Sequence, residues 1–275
     1  TRRPLLQTIH YLSFWTLSHL FRGKPQPAME YAIAALPMLG ILLDHPDVEV
    51  VRDALWTLLY MTTGGKDMVG MVIASGLMPK VFRGFSSIDE KSQMIALQAT
   101  GNTLCSIPEH RQELIVKLNV FEKIVPLLAP HISRLIRKQA CWALTHITPA
   151  TPYLVQKLID SGAIGPLCEI IKTPDFELQK EAAMVITGAL SSGPLCGLLK
   201  PLGEIIKEKP LDNHLLIALL VSLRKVVLLG QTLGSRGKSN PLAKAIEETG
   251  AVRTINELMA FMDMQVTQAE PPLNP

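Results

Sequence analysis

The chain has 275 residues, 48% hydrophobic and 19% charged, with a net charge of +3, which is apolar for a soluble domain. Its longest apolar run, Leu215 to Leu223, nevertheless stops at Arg224 and Lys225, well short of the ~20 residues a membrane span needs. The mild charge, with no basic run interleaved with aromatics, argues against nucleic acid as a partner, and the four cysteines (Cys105, Cys141, Cys168 and Cys196) stand too far apart for a paired-cysteine zinc site.

Taken from the N-terminus, the apolar residues recur at spacings of three and four, which predicts helices and no sheet. The chain starts at Thr1 without a methionine or a secretory signal and reads as a fragment or a processed product. The first marker is Phe14-Trp15-Thr16-Leu17-Ser18-His19, and a second copy, Leu55-Trp56-Thr57-Leu58-Leu59-Tyr60, follows 41 residues later. Next comes Ala74-Ser75-Gly76-Leu77, then Leu97-Gln98-Ala99-Thr100-Gly101-Asn102, then Lys117-Leu118-Asn119-Val120 and a helix over Val120 to Leu128. Cys141-Trp142-Ala143-Leu144-Thr145-His146, Asp160-Ser161-Gly162-Ala163 and Ala183-Met184-Val185-Ile186-Thr187-Gly188 continue the beat, with fainter copies at Val221 to Lys225 and Glu248 to Ala251. Gly76, Asn119 and Gly162 are each 43 residues apart, and Gly and Asn are the residues that tolerate a left-handed helix end. A period near 42 belongs to armadillo and HEAT arrays. Three helices per repeat, with a Gly or Asn break between the first two, favour the armadillo form: an all-α, right-handed superhelical solenoid of about six to seven repeats over residues 1–264, the first one partial, followed by a Pro-containing tail, 265–275. After Gly188 the next marker is Gly197, only 9 residues on instead of 16 or 17, so residues 189–196 are expected to hold no full helix. The cysteines are read as small buried hydrophobes of a reducing compartment.

Residues four apart share a helix face, so Trp15/His19, Trp56/Tyr60, Gln98/Asn102, Trp142/His146 and Met184/Gly188 form a ladder along one surface of a repeat array. A single tryptophan can be core filler, but core packing alone rarely puts a chain's only three tryptophans at one phase of a repeat. An indole face attracts Lys or Arg by ~0.5–2 kcal/mol, and a carboxamide one turn away can pair with an extended peptide backbone. Asp53 and Glu181, three residues before Trp56 and Met184, are placed to receive the cations. The pattern is that of a peptide groove. No phosphate loop, zinc motif or nucleophile elbow occurs, so no enzyme, cofactor or metal is expected.

The rungs also resemble a known family. Trp15 to Lys24 resembles the fourth armadillo repeat of importin-α, Asp53 to Tyr60 the fifth, Ala99 to Asn102 the sixth, Lys138 to Thr148 the seventh and Phe176 to Ala183 the eighth; Val226 to Gly234 and Lys244 to Met262 resemble the ninth and tenth more loosely. The resemblance implies an adaptor that binds basic nuclear localisation signals of cargo proteins for nuclear import and works in cytoplasm and nucleus. It implies importin-β engagement through an N-terminal segment that is not among these residues, and a recycling exportin at the C-terminal repeats. The implied peptide-binding residues are Trp15, His19, Asp53, Trp56, Tyr60, Gln98, Asn102, Trp142, Thr145, His146, Glu181 and Met184. Only Asn102 keeps the family's asparagine, whereas His19, His146 and Gly188 replace it, Gln139 replaces an acid and Met184 a tryptophan. Three lost asparagines at ~1 kcal/mol each would weaken a basic peptide roughly a hundredfold. Neutral imidazole can partly mimic asparagine, so affinity is expected to fall as the ladder histidines protonate between about pH 7.5 and 5.5. The rival reading is an armadillo scaffold for a non-basic partner, which Arg52, Arg137, Lys138, Lys180 or Lys225 reaching into the groove would favour.

Overall fold

In the computed structural model the described residues are 16–147 and 151–192, the side chains of 191 and 192 excepted. They fall in two compact units, 1–150 and 151–275. Every regular element among them is helical.

In the first unit α1 covers residues 16–22. It is followed by α2 (Met29–Leu42), α3 (Val48–Thr62), α4 (Lys66–Ala74), α5 (Met78–Arg83, tightening into a 3-10 turn, Gly84–Ser86) and α6 (Glu90–Cys105). Then come α7 (Pro108–Gln112, widening into a π turn, Glu113–Lys117), α8 (Val120–Ile124, with a 3-10 turn, Val125–Leu128) and α9 (Arg134–Thr145). The second unit shows α10 (Pro152–Asp160), α11 (Ile164–Ile171) and α12 (Phe176–Ser192).

The repeat is written into the ends of these helices. The breaks between first and second helices are left-handed, with φ of +71° at Gly76, 49° at Asn119 and +77° at Gly162. A Cβ on Gly76 or Gly162 would touch nothing, so the requirement there is purely conformational. Each long third helix starts at a capping side chain. Asp47 accepts from the Glu49 N–H at 2.9 Å, Asp89 from Ser92 at 3.1 Å, Ser133 from Ile136 at 3.3 Å and Asp175 from Leu178 at 3.2 Å. These caps recur every 42 to 44 residues, and each contributes about 1 kcal/mol.

The third helices form the core. Leu55, Leu58 and Met61 of α3, Ile95, Leu97 and Leu104 of α6, and Cys141 and Leu144 of α9 are fully buried. Ala54, Ala96, Ala99, Ala140 and Ala143 between them let α3, α6 and α9 pack side by side. Gly84 allows a similar approach, since a Cβ there would stand 2.8 Å from Cβ of Ala96. On another side, Lys80 of α5 donates to the Gly40 carbonyl at 2.7 Å and, with Arg83, pairs with Asp44.

Two expectations meet a different structure. Between α1 and α3 there is one continuous helix, α2, because position 33, a period before Gly76, is Ile33 and supplies no break. Of the stretch 189–196 only 189–192 is described; it is the last turn of α12, with Ala189 and Leu190 at 1% and 3% exposure, and makes no helix of its own, while the rest of the stretch lies outside the described residues. Cys141 and Cys168 are buried as expected, but Cys105, the last residue of α6, is exposed. Cys196, the two fainter repeats and the 265–275 tail also lie outside the described residues. Among the described residues no single helix is long and apolar enough to cross a membrane.

Candidate functional site

The rungs of the first unit stand on α1, α3, α6 and α9. Trp15 lies outside the described residues, and His19 on α1 is exposed, with Ser18 Oγ 3.4 Å from its Nδ1. On α3 the Trp56 and Tyr60 rings stack one turn apart, 5.4 Å between centroids and 19° between planes. Gln26 braces this rung by donating to the Tyr60 carbonyl at 2.8 Å.

Asp53 precedes Trp56 by one turn. It is half-buried, and its Oδ2 has no hydrogen-bond partner. Burial pushes its carboxyl above the usual range; Arg52 and His19 oppose that push and Glu49 adds to it. Arg52 does not neutralise it directly, because its guanidinium is held by Glu49 at 3.2 Å and by Asp89 at 3.4 Å. Asp53 is therefore a half-buried carboxylate that gains from a cation.

On α6 the rung is polar. Gln98 Nε2 donates to Gln139 Oε1 on α9 at 3.5 Å, and Asn102 Nδ2 donates back to Thr62 Oγ1 on α3 at 3.3 Å. The carboxamides thus tie neighbouring third helices together. The α9 rung is aromatic again: the rings of Trp142 and His146 meet edge to face at 4.4 Å and 86°. Thr145 turns its hydroxyl back to the Trp142 carbonyl at 2.7 Å. The indole of Trp142 lies across Gly101 of α6. A Cβ on Gly101 would overlap Cζ3 of Trp142 and stand 3.0 Å from Cε3.

His146 is half-buried and its Nε2 is sealed off without a partner. Burial, and then the Arg111 guanidinium, hold its pKa below the usual imidazole value. Arg111 is itself buried and caps the C-terminus of α6, with Nε donating to the Leu104 carbonyl at 3.0 Å and Nη2 to that of Ser106 at 3.3 Å. The expected protonation window of this rung accordingly moves below the range set by an ordinary histidine.

In the second unit Glu181, half-buried, and Met184, 48% exposed, stand one turn apart on α12. The first unit therefore gathers Asp53, Trp56, Tyr60, Gln98, Asn102, Trp142, Thr145 and His146 on adjacent third helices, and Glu181 and Met184 occupy the same phase of α12 in their own unit. Sequence reading missed Gly101, Arg111 and Gln26. A glycine inside an unbroken helix, where it costs ~0.5–1 kcal/mol, was the one available signal.

Comparison with known proteins gives this ladder its relatives. The Armadillo/beta-catenin-like repeat family matches residues 30–63 and 151–187. Importin subunit alpha-1a of Oryza sativa subsp. japonica is 32% identical over 161 residues, 58% of this chain and 30% of the rice protein. Importin subunit alpha-1b of the same plant and importin subunit alpha-4 of Arabidopsis thaliana are each 28% identical over 263 residues, 92% of this chain and 48% of theirs. This chain is a divergent homologue of importin α. The chain spans about half the length, or less, of these curated relatives. Its fold is that of a computationally designed armadillo repeat protein for modular peptide recognition, with a TM-score of 0.66 at 22% identity over 80% of this chain and 92% of that one. A designed armadillo repeat protein in complex with the peptide (KR)4 superposes with a TM-score of 0.59 at 22% identity, over 88% and 91%.

Proposed function

We propose that this chain is the cargo-binding part of a nuclear-import adaptor, that its first unit holds a basic, extended peptide along the rungs of α1, α3, α6 and α9, and that its second unit carries a rung of its own on α12. The observation that carries the reading is the α3 rung: a stacked Trp56–Tyr60 pair beside an Asp53 carboxylate whose Oδ2 has no partner. A Lys or Arg would stack its stem on the indole, at ~0.5–2 kcal/mol, and bring Asp53 its missing counter-charge. Asn102, whose Nδ2 is turned to Thr62, offers Oδ1 to a peptide N–H. Trp142, Thr145 and His146 form the next aromatic rung, His19 stands at the α1 end, and Glu181 with Met184 gives the second unit a rung of its own on α12. The homology supports cargo binding and shuttling between cytoplasm and nucleus. Importin-β and a recycling exportin belong to the same proposal.

A second reading, a groove for a non-basic partner, is favoured by α9, which carries Arg134, Arg137 and Lys138 and no acid. Fluorescence anisotropy with a labelled octapeptide of alternating Lys and Arg, against an acidic octapeptide, separates the two. Micromolar binding of the basic peptide, weakened by Asp53→Ala and by Trp56→Ala, is the expected result. Preference for the acidic peptide, or curves unchanged in both variants, rejects the basic-cargo reading.

A further inference from the structure

What lies beneath each rung differs in size from helix to helix. Gly101 stands three residues after the Gln98 rung, and the Trp142 indole of the next helix lies across it. Gln98 meets Gln139, which is three residues before Trp142. Both contacts give one register: a position on α6 faces the position three residues earlier, relative to the rung, on α9. Asn102 with Thr62 sets α6 on α3 within one residue of the same register. Carried to the other rungs, the same register would set Leu59 of α3 under Gln98 and Ser18 of α1 under Trp56. Ser18 and Leu59 are both buried, at 4% and 7% exposure. On that register a small residue would underlie each of the two tryptophans, and a buried leucine the glutamine.

We propose that the residue three places after each rung is the seat of the next rung, so that Gly101 fixes the Trp142 indole and Leu59 keeps an aromatic side chain out of the Gln98 rung. The ligand class follows, and this part rests on the peptide-groove reading above. Third helices pack ~8–10 Å apart, so the two aromatic rungs, two helices apart, are separated by ~16–20 Å. An extended chain advances ~3.3 Å per residue. The preferred ligand carries two basic side chains about five or six residues apart, with the residues between them meeting carboxamides. Gly101 and Leu59 are positioning residues and touch no ligand themselves.

Two readouts test the seat. In a Trp15→Phe/Trp56→Phe background the remaining Trp142 reports its own packing, and adding Gly101→Ala is expected to shift its emission to the red and raise acrylamide quenching without lowering thermal stability. In the otherwise unaltered chain, Gly101→Ala is expected to weaken an octapeptide with lysines at its second and seventh positions by the same ~3–30-fold as Trp142→Ala, and by less than about twofold when Trp142 is already alanine. Leu59→Ser with Gln98→Trp is expected to bind the alternating Lys–Arg octapeptide ~3–30-fold more tightly than Gln98→Trp with Leu59 in place. Unshifted emission in Gly101→Ala, or an equal gain from Gln98→Trp with Leu59 in place, overturns the seat. If the emission shifts but no variant binds either peptide, the seat stands and the groove reading falls. Should Gly101→Ala fail to fold, the Leu59 and Gln98 pair decides alone.

Discussion

At the scale of single residues, two ladder side chains carry a cost in stability. Burial raises the pKa of Asp53, so the folded chain holds this proton more tightly than the unfolded one. Its contribution to stability is unfavourable at neutral pH and is relieved as pH falls through the raised value. Asp53→Asn is therefore expected to raise the melting temperature at pH 7, with the gain shrinking toward pH 4, while basic-peptide affinity drops; scanning calorimetry and anisotropy on the same samples check both halves. His146 has the opposite sign. Its pKa is lowered by burial and by Arg111, so the unfolded chain takes up the proton first and stability declines as pH drops below ~6.5 toward the lowered value. His146→Asn is expected to flatten that part of a stability–pH curve followed by urea unfolding. His110, whose pKa burial also lowers, keeps a residual slope.

At the scale of elements, the periodic features were legible and the contacts between periods were not. Gly76, Asn119 and Gly162 mark left-handed breaks because few residues tolerate that backbone, and so they announced themselves by type. The caps Asp47, Asp89, Ser133 and Asp175 were equally periodic, but Asp and Ser are common enough to pass unnoticed until their N–H partners are seen. The merging of the first two helices into α2 followed from a missing marker at Ile33. The continuation of α12 depends on burial of Ala189 and Leu190, which no local signal records. The pairs Gln98–Gln139, Asn102–Thr62 and Gly101–Trp142 join residues about 40 apart, and only the packed helices reveal their register. The break residues can be tested directly. Gly76→Ala is expected to destabilise by ~1–2 kcal/mol, since the left-handed backbone penalises a Cβ even where nothing crowds it, and Asn119→Gly is expected to be neutral or stabilising. Urea denaturation of the two variants checks this.

At the scale of the whole molecule, a repeat array distributes its stability among neighbours, and in the first unit α6 packs on third helices to both sides, α3 and α9. Its amides are expected to exchange most slowly in hydrogen-exchange mass spectrometry, ahead of α2, whose Tyr31, Ile33, Met38 and Ile41 side chains are exposed. The ties between α6 and its neighbours have one more consequence. Gln98–Gln139, Asn102–Thr62 and the Trp142 seat carry no formal charge, unlike the Arg52–Asp89 pair at the head of α6; the proposed capture of a basic ligand by Asp53 is ionic as well. Dissolved salt shortens electrostatic reach from ~10 Å at 0.1 M to ~3 Å at 1 M and leaves neutral contacts nearly untouched. Raising sodium chloride across that range should release a lysine-rich peptide while these neutral contacts between rungs hold, so that salt loosens the grip before it loosens the ladder.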